Sequence, residues 1–108
     1  MAVVDYAVNG NIATVTLNRE EARNAVNPEV GVRLAEAWRA VRDDDQVRVA
    51  ILTGTGSVFC AGADLGQLIP LISGARGAEN EWDEKVLAEP DIFECAFMRS
   101  FDTVIYNS

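Results

Sequence analysis

The eight residues Val58-Phe59-Cys60-Ala61-Gly62-Ala63-Asp64-Leu65 follow the apolar run Val49–Thr53. A buried strand therefore opens into a bend of small residues around a glycine, with an aspartate near its end. Bare peptide N–H groups converging at such a bend are suited to an oxygen that gains negative charge. Side chains there must be small, because bulk would block approach to the donors. Electrostatic stabilisation of an oxyanion is the chemistry this pattern favours.

Other chemistries are thinned out by what the chain lacks. It contains no histidine, which removes Ser-His-Asp and Cys-His catalysis, His-ligated zinc and a histidine general base within these residues. Cys60 and Cys95 stand 35 residues apart with no CxxC pair. They read as two small buried residues of a reducing compartment, with a disulfide or a nucleophile as the alternative. Gly54-Thr55-Gly56 after a strand raises a dinucleotide fingerprint, but Phe59 sits where the third glycine belongs. Those glycines read as turn residues. No Gly-Lys-Ser/Thr of a phosphate-binding loop occurs. Asp64 is either catalytic or a cap for exposed N–H groups, and capping is the commoner use of a carboxylate that starts a turn.

The elements that must hold the bend are legible from pattern. Ala2–Val8 and Ile12–Leu17 are β-rich runs around Asn9-Gly10-Asn11, which predicts a hairpin. Ala13, Val15 and Leu17 share one face of the second run. After the polar connection Asn18–Val26, Asn27 is a good N-cap, Pro28 suits the first helical position and Glu29 complements the dipole. Val30, Leu34, Ala37, Trp38 and Val41 then recur on one helical face. Asp43-Asp44-Asp45 ends the helix as a solvated turn rather than a cation site. Val47–Thr53, apolar apart from Arg48, predicts a central strand buried on both faces. Leu68 to Ile72 suggests a short helix or turn around Pro70. Gly74 to Gly77 and the acidic Glu79–Glu84 suggest an exposed loop. Ile92, Phe93, Ala96, Phe97 and Phe101 fit a second amphipathic helix, and residues 103–108 look like the start of a strand.

Hairpin, helix and buried strand in this order point to a single α/β layered domain over residues 1–108. Of the residues, 49% are hydrophobic, enough to bury a core. No run approaches the roughly 18 apolar residues of a membrane span, so the expectation is a soluble, cytoplasmic protein with no membrane partner. Net charge is −8, with −2 over residues 1–48 and −6 over residues 49–108. No basic stripe is present to neutralise phosphates, which disfavours nucleic acid.

Three segments together resemble the crotonase, or enoyl-CoA hydratase/isomerase, family. They are Ile12 to Arg19 with Glu21-Ala-Arg-Asn-Ala25, the strand Val47 to Gly54, and Phe59-Cys-Ala-Gly-Ala-Asp-Leu65. The resemblance covers residues 3–66 well and the rest weakly. Glu20 stands where the family often has proline, and Val26 where it has leucine. The resemblance implies the N-terminal portion of a crotonase-like ββα superhelix, acting as a hydratase or isomerase. It implies a coenzyme A thioester as substrate, so that coenzyme A is part of the substrate and no separate cofactor is needed. The thioester oxygen would lie between two backbone N–H groups, one of them Ala63. Arg23 and Ala25 would line the coenzyme A site, with Arg23 meeting a phosphate and backbone near Ala25 and Ala61 meeting adenine. Gly62, Asp64 and Leu65 complete the implied substrate-binding set. Family members commonly form trimers, which implies a homo-oligomer.

The same resemblance puts the second oxyanion donor in a later Gly-rich turn and the acid/base carboxylates later still. No Gly-Gly turn follows residue 77, and Glu79, Glu81, Glu84, Glu89 and Glu94 read as a solvated acidic face. The expectation is a truncated chain that supplies one donor and part of the coenzyme cradle. A non-catalytic module that self-associates or binds a partner is the alternative.

Overall fold

A computed structural model of the chain describes residues 2–89 and, by backbone pairing alone, 104–107. Strands β1 (Val4–Asn9) and β2 (Ile12–Leu17) form the hairpin that the Asn-Gly turn calls for, antiparallel with Val4 opposite Leu17 and Asn9 opposite Ile12. Helix α1 (Pro28–Asp43) follows, and its start is set as the sequence indicates. The Asn27 side chain accepts the Val30 N–H at 2.9 Å, satisfying one of the donors a helix leaves open. α1 carries the chain to β3 (Val49–Gly54), which lies parallel to β2 with Ile12 opposite Val49 and Leu17 opposite Gly54. α2 (Ile69–Ile72) and α3 (Glu81–Ala88) come next, and β4 (Val104–Asn107) pairs parallel to β3. The sheet order is β1-β2-β3-β4.

The core lies between the sheet and the helices. Ala13, Val15, Leu17, Ala50 and Leu52 from the sheet meet Val30, Leu34, Ala37 and Trp38 from α1, all buried. Each large side chain so buried is worth about 1.5–3 kcal/mol. α3 packs on α1 and adds Val86.

Three expectations change. β3 is central in the sheet but buried on one face only: Ala50 and Leu52 are in the core, while Val49, Ile51 and Thr53 are half-buried. Its alternate residues look onto a face where Ile12 is 44% exposed. The acidic stretch Glu79–Glu84 is not a loop throughout, because helix α3 starts at Glu81. Asn80 caps it, accepting the Asp83 N–H at 2.9 Å, and three acidic residues sit at the positive end of its dipole. The hydrophobic period alone did not carry that helix; its cap and charges did. The strand expected over Ala2–Val8 runs Val4–Asn9. The amphipathic helix read at residues 92–101, and Cys95 within it, lie outside the described residues. No helix among the described residues is long and apolar enough to cross a membrane.

Candidate functional site

Because β2 and β3 run parallel in register, the segments leaving their C-terminal ends begin side by side. Crevices beyond the carboxyl ends of such strands are where open α/β sheets take ligands. Residues 18–26 leave β2 and residues 55–65 leave β3, and the two segments are stitched together.

Asn24 is the main stitch. It is 1% exposed, and its side-chain amide donates to the Thr55 and Val58 carbonyls, both at 2.9 Å. Its Oδ1 accepts the Arg19 N–H at 2.8 Å. It also holds a left-handed backbone, φ 57°, which asparagine tolerates better than most residues. The fit leaves no room at Gly54, where a Cβ would run into the Phe59 carbonyl oxygen and come within 2.8 Å of Asn24 Nδ2.

Arg19 is the second stitch. Its Nη1 donates to the Ala25 carbonyl and to Asp64 Oδ2, both at 2.9 Å, with side chains 13% and 16% exposed. The other oxygen of Asp64 accepts the N–H groups of Gly66 and Gln67 at 2.8 Å each. Burial works against charge on Asp64, but Arg19 and these two N–H donors outweigh it. The carboxyl is held below its ordinary range. Asp64 thus caps a turn and anchors an arginine, the structural use weighed for it.

Between the stitches, backbone pairing turns the bend. Ala61 N–H donates to the Arg23 carbonyl at 3.0 Å, Val26 N–H to the Gly62 carbonyl at 2.8 Å, and Asp64 N–H to the Val26 carbonyl at 2.9 Å. This is a parallel bridge between Val26 and Ala63. In it Val26 uses both its polar groups on the neighbours of Ala63, so the polar groups of Ala63 itself face away. Gly62 makes the geometry possible with φ 101°, a backbone state that side chains resist. A Cβ there would meet nothing within 4 Å, so conformation rather than crowding calls for glycine.

Ala63 is exposed, and among the described residues its N–H donates to no acceptor. It lies on the wall of an apolar cavity of about 260 Å³ with Gly62, Val26, Cys60, Leu68, Ile69 and Ile72. An unspent amide beside an apolar cavity can donate to an oxygen that carries an apolar group. The half-buried Cys60 borders this space rather than sitting fully inside the core.

The remaining predicted residues distribute unevenly. Arg23 is exposed in a separate shallow depression of about 130 Å³ with Glu20, Thr55, Ser57 and Val58. Among the described residues its guanidinium makes no ion pair, leaving it available to an anion. Ala25 has its N–H on the Ala22 carbonyl and its carbonyl on Arg19. Ala61 is exposed with its N–H taken, and Leu65 is 80% exposed. Sequence reasoning missed the positioning roles of Arg19 and Asn24 and the cavity role of Leu68, Ile69 and Ile72. Arg19 and Asp64 are 45 residues apart, so no local pattern could pair them.

The family model described as Enoyl-CoA hydratase/isomerase matches residues 7–88, past the segment where the sequence resemblance was strong. The chain is 46% identical over 68 residues to the (E)-benzylidenesuccinyl-CoA hydratase of Thauera aromatica, covering 62% of this chain and 27% of that protein. It is 47% identical over 58 residues to the 1,2-epoxyphenylacetyl-CoA isomerase of Escherichia coli K12, covering 54% of this chain and 22% of that one. The aligned part is therefore about a quarter of the length of these relatives. Among solved structures, a carnitinyl-CoA hydratase from Mycobacterium avium superposes with a TM-score of 0.67 at 28% identity, over 90% of this chain and 34% of that one. An enoyl-CoA hydratase from Mycobacterium tuberculosis H37Rv gives 0.61 at 40% identity, over 71% and 28%. The mixed sheet and its helices are thus a portion of the crotonase-like fold.

Proposed function

The chain belongs to the enoyl-CoA hydratase/isomerase family, and we propose that it binds an acyl-CoA thioester with the Ala63 amide on the thioester oxygen. One observation carries the reading. The bridge to Val26 leaves the Ala63 N–H without an acceptor among the described residues, at the wall of an apolar cavity.

Adding water to an enoyl thioester, or moving its double bond, passes through an enolate. Negative charge then grows on the thioester oxygen. A fixed N–H dipole binds that oxyanion more tightly than the neutral carbonyl, so it lowers the barrier rather than only improving binding. One such donor is worth roughly 3 kcal/mol. The acyl chain would lie against Val26, Cys60, Leu68, Ile69 and Ile72, and Arg23 would meet a phosphate of coenzyme A. Asp64 and Asp83 are both held below the ordinary carboxylate range by arginines. A general acid at neutral pH needs the opposite shift, so neither is assigned that role.

Titration of the 108-residue protein with coenzyme A and with butyryl-CoA tests the reading. Saturable binding that is weakened roughly tenfold by Arg23→Ala is expected, the scale of one charge-assisted phosphate contact. No binding, or binding indifferent to Arg23, would overturn it. With one donor and no assigned acid or base, hydration of crotonyl-CoA by this chain alone is expected to be weak or absent.

A second reading, a self-associating module of the same fold, is favoured by the half-exposed apolar residues Ile12, Val49 and Ile51 on one sheet face. Gel filtration showing a compact monomer at high concentration would count against it.

A further inference from the structure

The acyl-CoA reading leaves without a role a part-buried ionic cluster built on the buried Asp83. Arg76 has all five guanidinium N–H donors engaged. Nε and Nη2 donate to the Gln67 carbonyl at 3.2 and 2.6 Å. Nη1 donates to the Gly77 carbonyl at 3.0 Å and to Asp83 Oδ2 at 2.7 Å, and Nη2 reaches Asp83 Oδ1 at 3.2 Å. Asp83 is 1% exposed and also accepts the Glu79 N–H at 2.9 Å. The amide of Arg76 donates to the Pro70 carbonyl at 3.1 Å.

These bonds converge on α2. Gln67 precedes the helix, Pro70 lies within it, and Asp83 belongs to α3, which is packed on α1. A four-residue helix has no stability of its own. Leu68 and Leu71 are buried in the core, Leu68 also bordering the acyl cavity, while Ile69 and Ile72 are exposed and line that cavity. The cavity wall is therefore a short plate fastened on one side by two leucines and on the other by one guanidinium.

We propose that Arg76 is a specificity-determining positioning residue that latches α2 to α3 and so fixes how long an acyl chain the cavity accepts. The proposal rests on the acyl-CoA reading. The cavity, about 260 Å³, is half open, and Ile69 and Ile72 form the side of it that α2 supplies. Lysine cannot replace Arg76 here. An ammonium is a point charge with three donors, unable to span a carbonyl and both carboxylate oxygens in one plane.

The test compares binding of coenzyme A, butyryl-CoA and octanoyl-CoA to the wild type and to Arg76→Lys, with circular dichroism to verify folding. Arg76→Lys should shift the octanoyl-to-butyryl ratio by roughly tenfold, the discrimination a methylene-sized change in an apolar pocket carries. Affinity for coenzyme A itself should stay the same. An unchanged ratio would overturn the proposal, as would an equal loss for all three ligands, since that is mere damage to the fold. If the wild type bound coenzyme A but no thioester more tightly, the proposal would fall with the cavity assignment. If it bound none of them, the acyl-CoA reading would fail and take the specificity role with it. Hydrogen exchange at the Ile72, Ser73 and Gly74 amides would then decide the latch separately, with selective acceleration in Arg76→Lys as its signature.

Discussion

A single buried amide, that of Asn24, decides whether the bend keeps its shape. Three hydrogen bonds converge on it, and two of their partners are carbonyls of the segment leaving β3. Asn24→Ala strands those carbonyls and leaves on a left-handed backbone a residue that tolerates it less well than asparagine does. A loss of about 3 kcal/mol in urea unfolding is expected, the upper range for an unsatisfied buried group. A loss below about 1 kcal/mol would show that water replaces the amide without strain. Asp64 makes a second prediction, with a pH sign. Its carboxyl is depressed in the folded chain, so its stabilising effect is complete above the ordinary carboxylate pKa of about 3.9 and is lost as pH falls through the folded value. Asp64→Asn keeps the acceptor for Gly66 and Gln67 but has no charge to lose. Between pH 7 and pH 3 the variant should lose less stability than the wild type; parallel losses would refute the Arg19 anchor. The bend itself was legible, because small residues after an apolar strand need only local reading. Its anchors were not. Arg19 and Asn24 act across the β2–β3 register, which no spacing in the chain encodes.

Among the elements, α1 was readable almost to the residue, since cap, proline, dipole charge and apolar period all agree at Asn27 to Val41. Asn27→Ala should therefore cost about 1 kcal/mol, the usual worth of an N-cap, read as a lower unfolding midpoint with unchanged slope. A cost near zero would mean that the Asn27–Val30 contact is not formed in solution. α3 shows the opposite case. The stretch Glu79–Glu84 was read as an exposed loop, yet Asp83 within it is turned inward to meet Arg76, whose hydrogen bond outweighs burial in keeping the carboxyl ionised. Composition marks such a run as exposed; only the partner seven residues earlier makes burial affordable. α2 was read as a short helix or turn around Pro70, and a short helix it is, but its role as a cavity wall depends on which side Ile69 and Ile72 fall once Leu68 and Leu71 are buried.

At the scale of the whole molecule, the sheet is the question. An apolar strand with few polar residues normally signals cover on both faces. Here β3 divides its residues: Leu52 is 5% exposed among α1 and β2 side chains, while its neighbour Ile51 is half-buried on the opposite face. The run was read correctly as a central strand, but apolar composition cannot report how deep the second layer is. Two adjacent substitutions measure it. Leu52→Ala should cost about 3 kcal/mol, because it removes core contacts and leaves a cavity. Ile51→Ala should cost roughly half as much or less, since much of its surface already meets water and burial energy scales with the area removed from solvent. The comparison should be made at low and at high protein concentration. Equal costs at both would mean that no partner chain covers the second face. A cost at Ile51 that rises with concentration would mean that it is covered by association, since stability drawn from a partner follows mass action.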